Sequence, residues 1–434
     1  MSKRKWMASL GMVSIVMASV VSGCGTKTTP TSTTPATTAP TAAQKAQEPV
    51  KLKFAMWEAQ GDIDFWTEKV KEYTKLKPNV SVEVIKVPDN KGQYLKVNLA
   101  ANDLPDVFYM KPAALQVYKQ ALQPLDDLPI TKDNTFAAKI DGKTLGLPLI
   151  SFYEVVYYHP SVFKELGLEI PKTMPEFIAL CEKIKADGKY VPLSLGMKDS
   201  WTSYPFMEFG PHVLSGDEGF LTNLPKNEAP FTANSSFDKA AKFLQEISTK
   251  KLAGPDPLSI SFDQQTQAFE AKKAAMTALG QWYYPDYIKK VNSEDDLGAF
   301  IMPWRSTESE PLTAMTMSDM NIGISKNSKN LGESKAFLQW IFSQPVYGAY
   351  LSTSKQMSTM STVKSDNAFF VKEAQKAQFK PFVYNGIDEM YNKVKAAAQY
   401  DPSMIAQDIF AGKSIDKLEA DLNNKWKKAI DSSK

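Results

Sequence analysis

Residues 141–190 read DGKTLGLPLISFYEVVYYHPSVFKELGLEIPKTMPEFIALCEKIKADGKY, and the fold turns on this stretch. Asp141-Gly142 is a tight-turn pair. The run Leu145 to Tyr158 is rich in β-branched and aromatic residues, which suit a pleated, buried surface, so it predicts one or two strands. A turn at His159-Pro160 follows. Thr173 and Glu176 then have the spacing of a capping box, in which each side chain satisfies a free amide of the first helical turn. Phe177, Leu180, Cys181 and Ile184 fall at i, i+3, i+4 and i+7, one apolar face of a helix, and Gly188 is placed to end it.

Upstream, Lys51 to Trp57 puts Leu52, Phe54 and Met56 on one side of a strand. Ile63, Trp66, Val70 and Tyr73 share one helical face, and Val80, Val82 and Val84 alternate again after the Pro78-Asn79 turn. A helix over Tyr94–Ala101, a short strand over Asp106–Met110 and a helix over Ala113–Leu122 continue the alternation. Strands and helices alternating at this spacing imply a parallel sheet covered by helices. Downstream, a second α/β body is expected over 191–300, with an amphipathic helix through Phe237, Ala240, Ala241, Leu244 and Ile247. It continues with a helix Phe262–Glu270 and a strand Ala274–Leu279. A strand over Asn321–Ser325, a helix over Glu333–Phe342, a further helix capped by Ser343 and a last helix through Ile415, Leu418, Leu422, Trp426 and Ala429 complete the chain.

The 434 residues suffice for two ordinary domains, and 43% hydrophobic with 23% charged is a globular composition. The formal charge is +3, and Lys3, Arg4 and Lys5 account for that whole excess. Without them the charges balance, which argues against nucleic acid, whose binding needs a basic footprint. Beyond the leader, Arg305 is the only arginine, so bidentate recognition of an anionic ligand is disfavoured.

The basic start and the apolar run Trp6–Val21 read as a secretory leader, too short for a membrane span. Val21-Ser22-Gly23-Cys24 reads as a lipobox, in which the Cys24 thiol takes a diacylglycerol and becomes the first residue of the mature chain. Gly25 to Pro49 is Thr, Pro, Ala and Ser with almost no large apolar side chain, so it reads as a tether of about 70 Å at most. With Cys24 acylated, Cys181 has no disulfide partner, and its place on the apolar helix face makes it a buried small hydrophobe.

Catalytic and metal signatures do not appear. There are two histidines in all, no spaced Cys or His sets, no phosphate-cradling glycine loop and no nucleophile elbow. No metal, cofactor or catalytic residue is therefore expected. Aromatic residues are 11% of the chain, and several stand at strand ends or in polar loops. Trp57-Glu58 closes the first strand, Asp106 opens a short strand, and Tyr153-Glu154 lies within the Leu145–Tyr158 run. Trp201 sits in a polar loop, Trp282-Tyr283 follows the Ala274–Leu279 strand, and Trp304 and Asp319 flank later strands. Flat aromatic faces with planar hydrogen-bonding groups are what a sugar site needs: the rings cover pyranose C–H patches and the polar groups pair with hydroxyls. For each of these residues the competing reading is core packing, helix capping or a solvated loop.

The 141–190 stretch resembles the family 1 extracellular solute-binding proteins of ABC sugar importers. The resemblance rests on Asp141-Gly142-Lys143, Gly146, Pro148, Tyr158, Phe163, Gly167, Pro171, Thr173, Glu176 and Phe177. Leu145, His159-Pro160 and Met174-Pro175 depart from the pattern at strand ends and turns. Further matches are Pro105-Asp106, Pro124-Leu125 with Leu128, and Phe269 with Lys273, Ala274, Ala275, Met276, Gly280 and Trp282. Together they span about residues 50–430 in the expected order. The resemblance implies a type II periplasmic-binding-protein-like α/β fold: two lobes joined by crossover segments, with the ligand cleft between. The first crossover would be the 141–190 strand and the second Leu297–Trp304. The expected organisation is leader 1–23, lipidated Cys24 and tether 24–49, lobe 1 at 50–150 plus 305–350, and lobe 2 at 151–304 plus 351–434.

The function implied is capture of a sugar or oligosaccharide and delivery to ABC permease subunits, by a monomer held through Cys24 on the outer face of the cell membrane, extracellular or periplasmic. Three alternatives remain open at this point: the same fold with a polyol, acidic or peptide ligand, an extracellular glycoside hydrolase, and a sensor subunit.

Overall fold

A computed structural model describes residues 48–434, apart from 58–60, 89–91, 138, 366, 368, 371, 373–377, 385–387 and 434. The expected leader, Cys24, nearly all of the tether, and Glu58 lie outside the described residues.

The chain from Val50 builds a βαβ unit as the hydrophobic periods require. Strand β1 (Val50–Met56) pairs in parallel with β2 (Val80–Lys86), Phe54 opposite Val84. The helix between them, Asp62–Leu76, buries Trp66, Val70 and Tyr73 on one face. β1 also pairs in parallel with β3 (Val107–Met110), Phe54 opposite Val107. The next helix is shorter than its apolar pattern suggests, Ala114–Tyr118 rather than 113–122. A two-stranded hairpin, β4 (Lys139–Ile140) and β5 (Lys143–Thr144), turns at Asp141-Gly142, both at positive φ.

The Leu145–Tyr158 run forms one strand, β6 (Leu147–Tyr158), of twelve residues and about 40 Å. The helix that follows, Met174–Asp187, is capped by Thr173 and ended by Gly188 at φ 81, and buries Phe177, Leu180, Cys181 and Ile184 as its period predicts. Its capping differs in one bond: Thr173 Oγ1 accepts from the Glu176 amide, but the Glu176 carboxylate reaches the Lys172 amide, one residue before the cap. Burial pushes the Cys181 thiol well up, so it is inert as a nucleophile.

Beyond it lie β7 (Val191–Ser194), β8 (Ala274–Gly280), β9 (Gly298–Phe300), β10 (Thr313–Ile324) and β11 (Lys380–Tyr384). The sheet order is β2-β1-β3-β10-β6-β8-β7, with β11 on β10 and β9 on β6. β6 and β10 run antiparallel side by side, Tyr153 opposite Thr316 and Leu147 opposite Ile322.

These two strands thread two cores. Leu147, Leu149, Ile150 and Phe152 of β6 pack with Met320, Ile322 and Ile324 of β10 and with β1, β3 and their helices. Further along, Val156 and Tyr158 pack with Met315 in a separate core built on the helices Met174–Asp187, Ser236–Thr249 and Ile415–Ser433. A smaller aromatic core holds Val155, Tyr157, Tyr283, Tyr284, Tyr287, Phe369 and Phe370.

The second crossing strand is thus β10, not Leu297–Trp304. Within that segment only Gly298–Phe300 is a strand, and it pairs with the far end of β6, Val156 opposite Phe300. Leu351, Met360 and Val363 pack in the first core, past the 350 boundary expected from sequence.

Candidate functional site

Parallel strands expose their carboxyl ends where helices cannot cover them, and that is where open α/β sheets present ligands. β1 runs out into Trp57 and β3 into Lys111. The Trp57 ring meets Tyr109 edge to face at 5.4 Å, and Lys111 Nζ lies 5.1 Å from the Trp57 centroid. The same ammonium pairs with Asp319 of β10. Asp319 is held in turn by the amide of Met320, at φ 54, which donates to its Oδ1 at 2.8 Å. Beneath Trp57, Tyr109 accepts from Trp66 Nε1 at 2.9 Å and donates to Asp62 at 3.3 Å.

The second group gathers past the end of β8. Trp282 lies 6.0 Å from Trp201 and 6.0 Å from Phe262, and Trp201 lies 4.9 Å from Phe262 and stacks on Tyr204 at 6.3 Å. Trp201 is 44% exposed, so a large flat ring stays open to solvent. Trp282 packs against both the first core and the small aromatic core, and Tyr204, which it binds, packs against the second core. Its indole N–H donates to the Tyr204 hydroxyl at 3.1 Å, and the Gly280 amide donates to the same oxygen at 2.9 Å.

Gly280 has ordinary backbone, φ −75, but no room for a side chain: a Cβ there would sit 2.5 Å from Trp282 Nε1 and 2.9 Å from Glu154 Oε1. Gly280→Ala is therefore expected to cost about 1–3 kcal/mol and to displace the indole, read as altered near-ultraviolet dichroism of the cluster. Unchanged spectra and melting would refute that packing.

Glu154 lies opposite Gly280 on β6 and is buried, with neither carboxylate oxygen in a hydrogen bond of ordinary geometry. Burial pushes its carboxyl up to about 8. The Tyr204 hydroxyl works the other way and the Glu208 charge adds to the rise. The neighbouring Tyr153 amide donates to Gln281 Oε1 at 2.8 Å, and the half-buried Tyr153 ring meets the edge of Phe379 at 5.2 Å. Asp319 stands opposite Ile150, four residues (about 13 Å) along β6 from Glu154. Asp319 therefore lies within the stretch where the crossing strands pair, and Glu154 one residue past its end.

Of the residues singled out from sequence, Trp57 and Asp319 meet through Lys111. Trp201, Trp282 and Glu154 meet through Tyr204 and Gly280, and Tyr153 joins them through Gln281. Three others stand elsewhere. Tyr283 is fully buried, its hydroxyl donating to Glu270 at 2.9 Å among the Tyr157 and Tyr287 rings, because the turn after β8 sends alternate side chains inward. Trp304 is buried against Phe206 and Phe243 and fills the space left at Gly210, so it is a core residue. Asp106 lies at the opposite end of β3 from Lys111, about 16 Å away. Its carboxylate accepts the Lys53 amide at 2.8 Å and the Ser328 hydroxyl at 2.5 Å, tying β3 to β1 and to the turn after β10.

Sequence reasoning missed Lys111, Tyr204 and Phe262. Lys111 had a usable signal, since it is the first residue past a parallel strand. Among the described residues no cluster of three or more His, Cys, Asp or Glu could hold a metal ion.

The family described as "Bacterial extracellular solute-binding protein" matches residues 60–347. The multiple sugar-binding protein of Streptococcus mutans is 24% identical over 369 residues, covering 81% of this chain and 85% of that protein. The melibiose/raffinose/stachyose-binding protein MelE of Bacillus subtilis is 23% identical over 287 residues, 63% of this chain and 65% of that protein. In structure, the mannobiose complex of the ABC-transporter binding protein BlMnBP1 from Bifidobacterium animalis subsp. lactis superposes with a TM-score of 0.74. It is 20% identical and covers 88% of this chain and 95% of that one. The shared fold is a mixed α/β one, a central sheet among many helices.

Proposed function

The chain belongs to the bacterial extracellular solute-binding proteins, and on that premise we propose that it captures a sugar or oligosaccharide between its two halves and delivers it to the permease of an ABC importer. The observation that carries this reading is the Trp282 cluster, a partly open aromatic face in which Trp282 packs on the first core and Tyr204 on the second. One pyranose face laid on such a ring removes about 100 Å² of apolar surface from water, worth about 2.5 kcal/mol. Lys111 and Asp319 on the other side offer a donor and an acceptor for hydroxyls. The sugars named for the multiple sugar-binding protein, MelE and the mannobiose complex support that ligand class.

The first core and the second core are read as the two lobes, with β6 and β10 as the crossovers. A ligand that touches both favours the closed arrangement by its differential affinity, and one that touches a single lobe shifts nothing. The permease recognises the loaded form, and ATP hydrolysis belongs to other subunits. The protein is a monomer without catalytic activity, anchored outside the cell membrane through lipid on Cys24.

An ion pair away from the crossing strands also joins the lobes. Lys119, after the helix Ala114–Tyr118 of the first core, lies 3.3 Å from Glu389, which opens the helix Glu389–Ala397 of the second, and 3.1 Å from Asp141. Being exposed, the pair helps closure only modestly. Lys119→Glu is expected to give a small loss of affinity at low salt that vanishes near 0.5 M, roughly where screening is complete. A loss that persists at high salt would contradict that reading.

Calorimetric titration of the body from Glu48 against neutral mono- and oligosaccharides tests the function. Micromolar or tighter binding, with the sugar recovered unchanged, is expected. Silence across the panel overturns the sugar reading, and cleaved sugar overturns the receptor.

A further inference from the structure

Glu154 is a carboxylate in an unusual position. It is 6% exposed, both oxygens lack a hydrogen bond of ordinary geometry, and one of them converges with the Trp282 indole on the place where β8 carries no side chain. The link between the two is the Tyr204 hydroxyl. That oxygen accepts two N–H groups, from Gly280 and from Trp282, so both lone pairs are used and its single proton is left to donate. Glu154 stands beside this network: the point where a Gly280 Cβ would sit is 2.9 Å from its Oε1 and 2.5 Å from Trp282 Nε1, and its carboxyl and the Tyr204 hydroxyl shift each other's titration.

We propose that Glu154 is a positioning residue for the ligand platform: acting through the Tyr204 hydroxyl, it holds the Trp282 indole in place, and its protonation state sets how firmly. This rests on reading Trp282 as the platform. It does not require Glu154 to touch the ligand.

The surroundings decide which state is stable. From the segment Ser200–Glu208, Glu154 meets Tyr204 and the Glu208 charge; on its own strand Tyr157, on the opposite face, feels its charge only at a distance. Trp282 and Gly280 bring no charge from the β8 side. The small cavity it lines adds Ile301, Met302, Thr313 and Met315 from the β9 and β10 side, none of them ionisable. No cation stands among these neighbours, so burial and the Glu208 charge both favour the neutral acid, up to about pH 8. Ionisation sets a charge against Glu208 inside a packed site and strengthens the pull on the Tyr204 proton, so the Tyr204–Trp282 pair responds to the charge.

A carboxyl whose folded pKa is raised binds its proton more tightly when folded. Stability therefore falls as pH rises from the unfolded carboxyl range to about 8, and the full cost remains above that.

The test begins without ligand, so that it does not depend on which sugar binds. Tryptophan fluorescence of the chain from Glu48 is followed from pH 6 to 9.5. A transition centred near pH 8 is expected in the native protein and is expected to be absent in Glu154→Gln, which keeps an acceptor for Tyr204 but cannot ionise. Trp282→Phe should remove the signal as well. Should Glu154→Gln fail to fold, Tyr204→Phe, which cuts the link, is expected to abolish the transition in its place.

A flat native profile, or the same transition in Glu154→Gln, overturns the proposal. Titrations with the panel of mono- and oligosaccharides, mannobiose among them, at pH 7 and 9.5 then separate the two readings. A fluorescence transition without sugar binding leaves the Glu154–Trp282 coupling standing and sinks the sugar platform. Binding without the transition sinks the coupling alone.

Discussion

Trp282→Ala is expected to weaken sugar binding by about 2–4 kcal/mol, a factor of about 30 to 1,000 in Kd. The indole supplies a flat face where the first core meets the small aromatic core, and its removal also unseats Tyr204, whose hydroxyl it binds at 3.1 Å. Trp201 and Phe262, each 6.0 Å from it, would lose the ring that aligns them. Trp282→Phe keeps an apolar face but loses the N–H, so it should fall between the native protein and the alanine variant. Isothermal titration of both variants beside the native protein checks the order. Equal affinity in the native protein and Trp282→Ala would remove this ring from the site.

Trp66→Ala carries the largest expected effect on stability, about 3–5 kcal/mol. The ring is fully buried, stacks on Tyr350 at 5.4 Å and meets Phe54 and Phe65 edge to face. Its N–H is a donor to Tyr109, the ring on which Trp57 leans, so the loss reaches the first-lobe half of the site as well. Thermal unfolding followed by circular dichroism should shift down by about 5–10 °C. Trp66→Phe, which keeps most of the volume and loses only the donor, should cost about 1–3 kcal/mol. A melting curve unchanged in Trp66→Ala would contradict the packing described for the first core.

Much of this was legible from local patterns. The Leu145–Tyr158 run announced its strand because β-branched and aromatic residues fill both faces of a strand buried on both sides. Thr173, the i, i+3, i+4, i+7 face and Gly188 marked a helix with its ends. β10 was legible only in its last third. Its first residues, TAMTMSD, mix small, polar and flexible side chains, yet Thr316 and Ser318 are buried in the sheet, where backbone pairing with β6 and β11 decides. That pairing is non-local, so no window of sequence reveals it, and the apolar Leu297–Trp304 drew the crossing to itself.

The aromatic site was half legible for a similar reason. Trp201 and Trp282 stand in turns after secondary structure, but so do Trp304 and Tyr283, and only the tertiary fold separates an open ring from a core ring. Asp106 illustrates the same limit for carboxylates. Adjacent to a strand, it stands at the end away from the site and serves the backbone of β1.

The most direct test of the central claim is the crystal structure of this chain with the oligosaccharide that binds it most tightly in the calorimetric panel. The account predicts sugar between the two cores, one ring lying on Trp282 beside Trp201 and hydroxyls reaching Lys111 or Asp319. Sugar bound to one half alone, or away from Trp282, would contradict it.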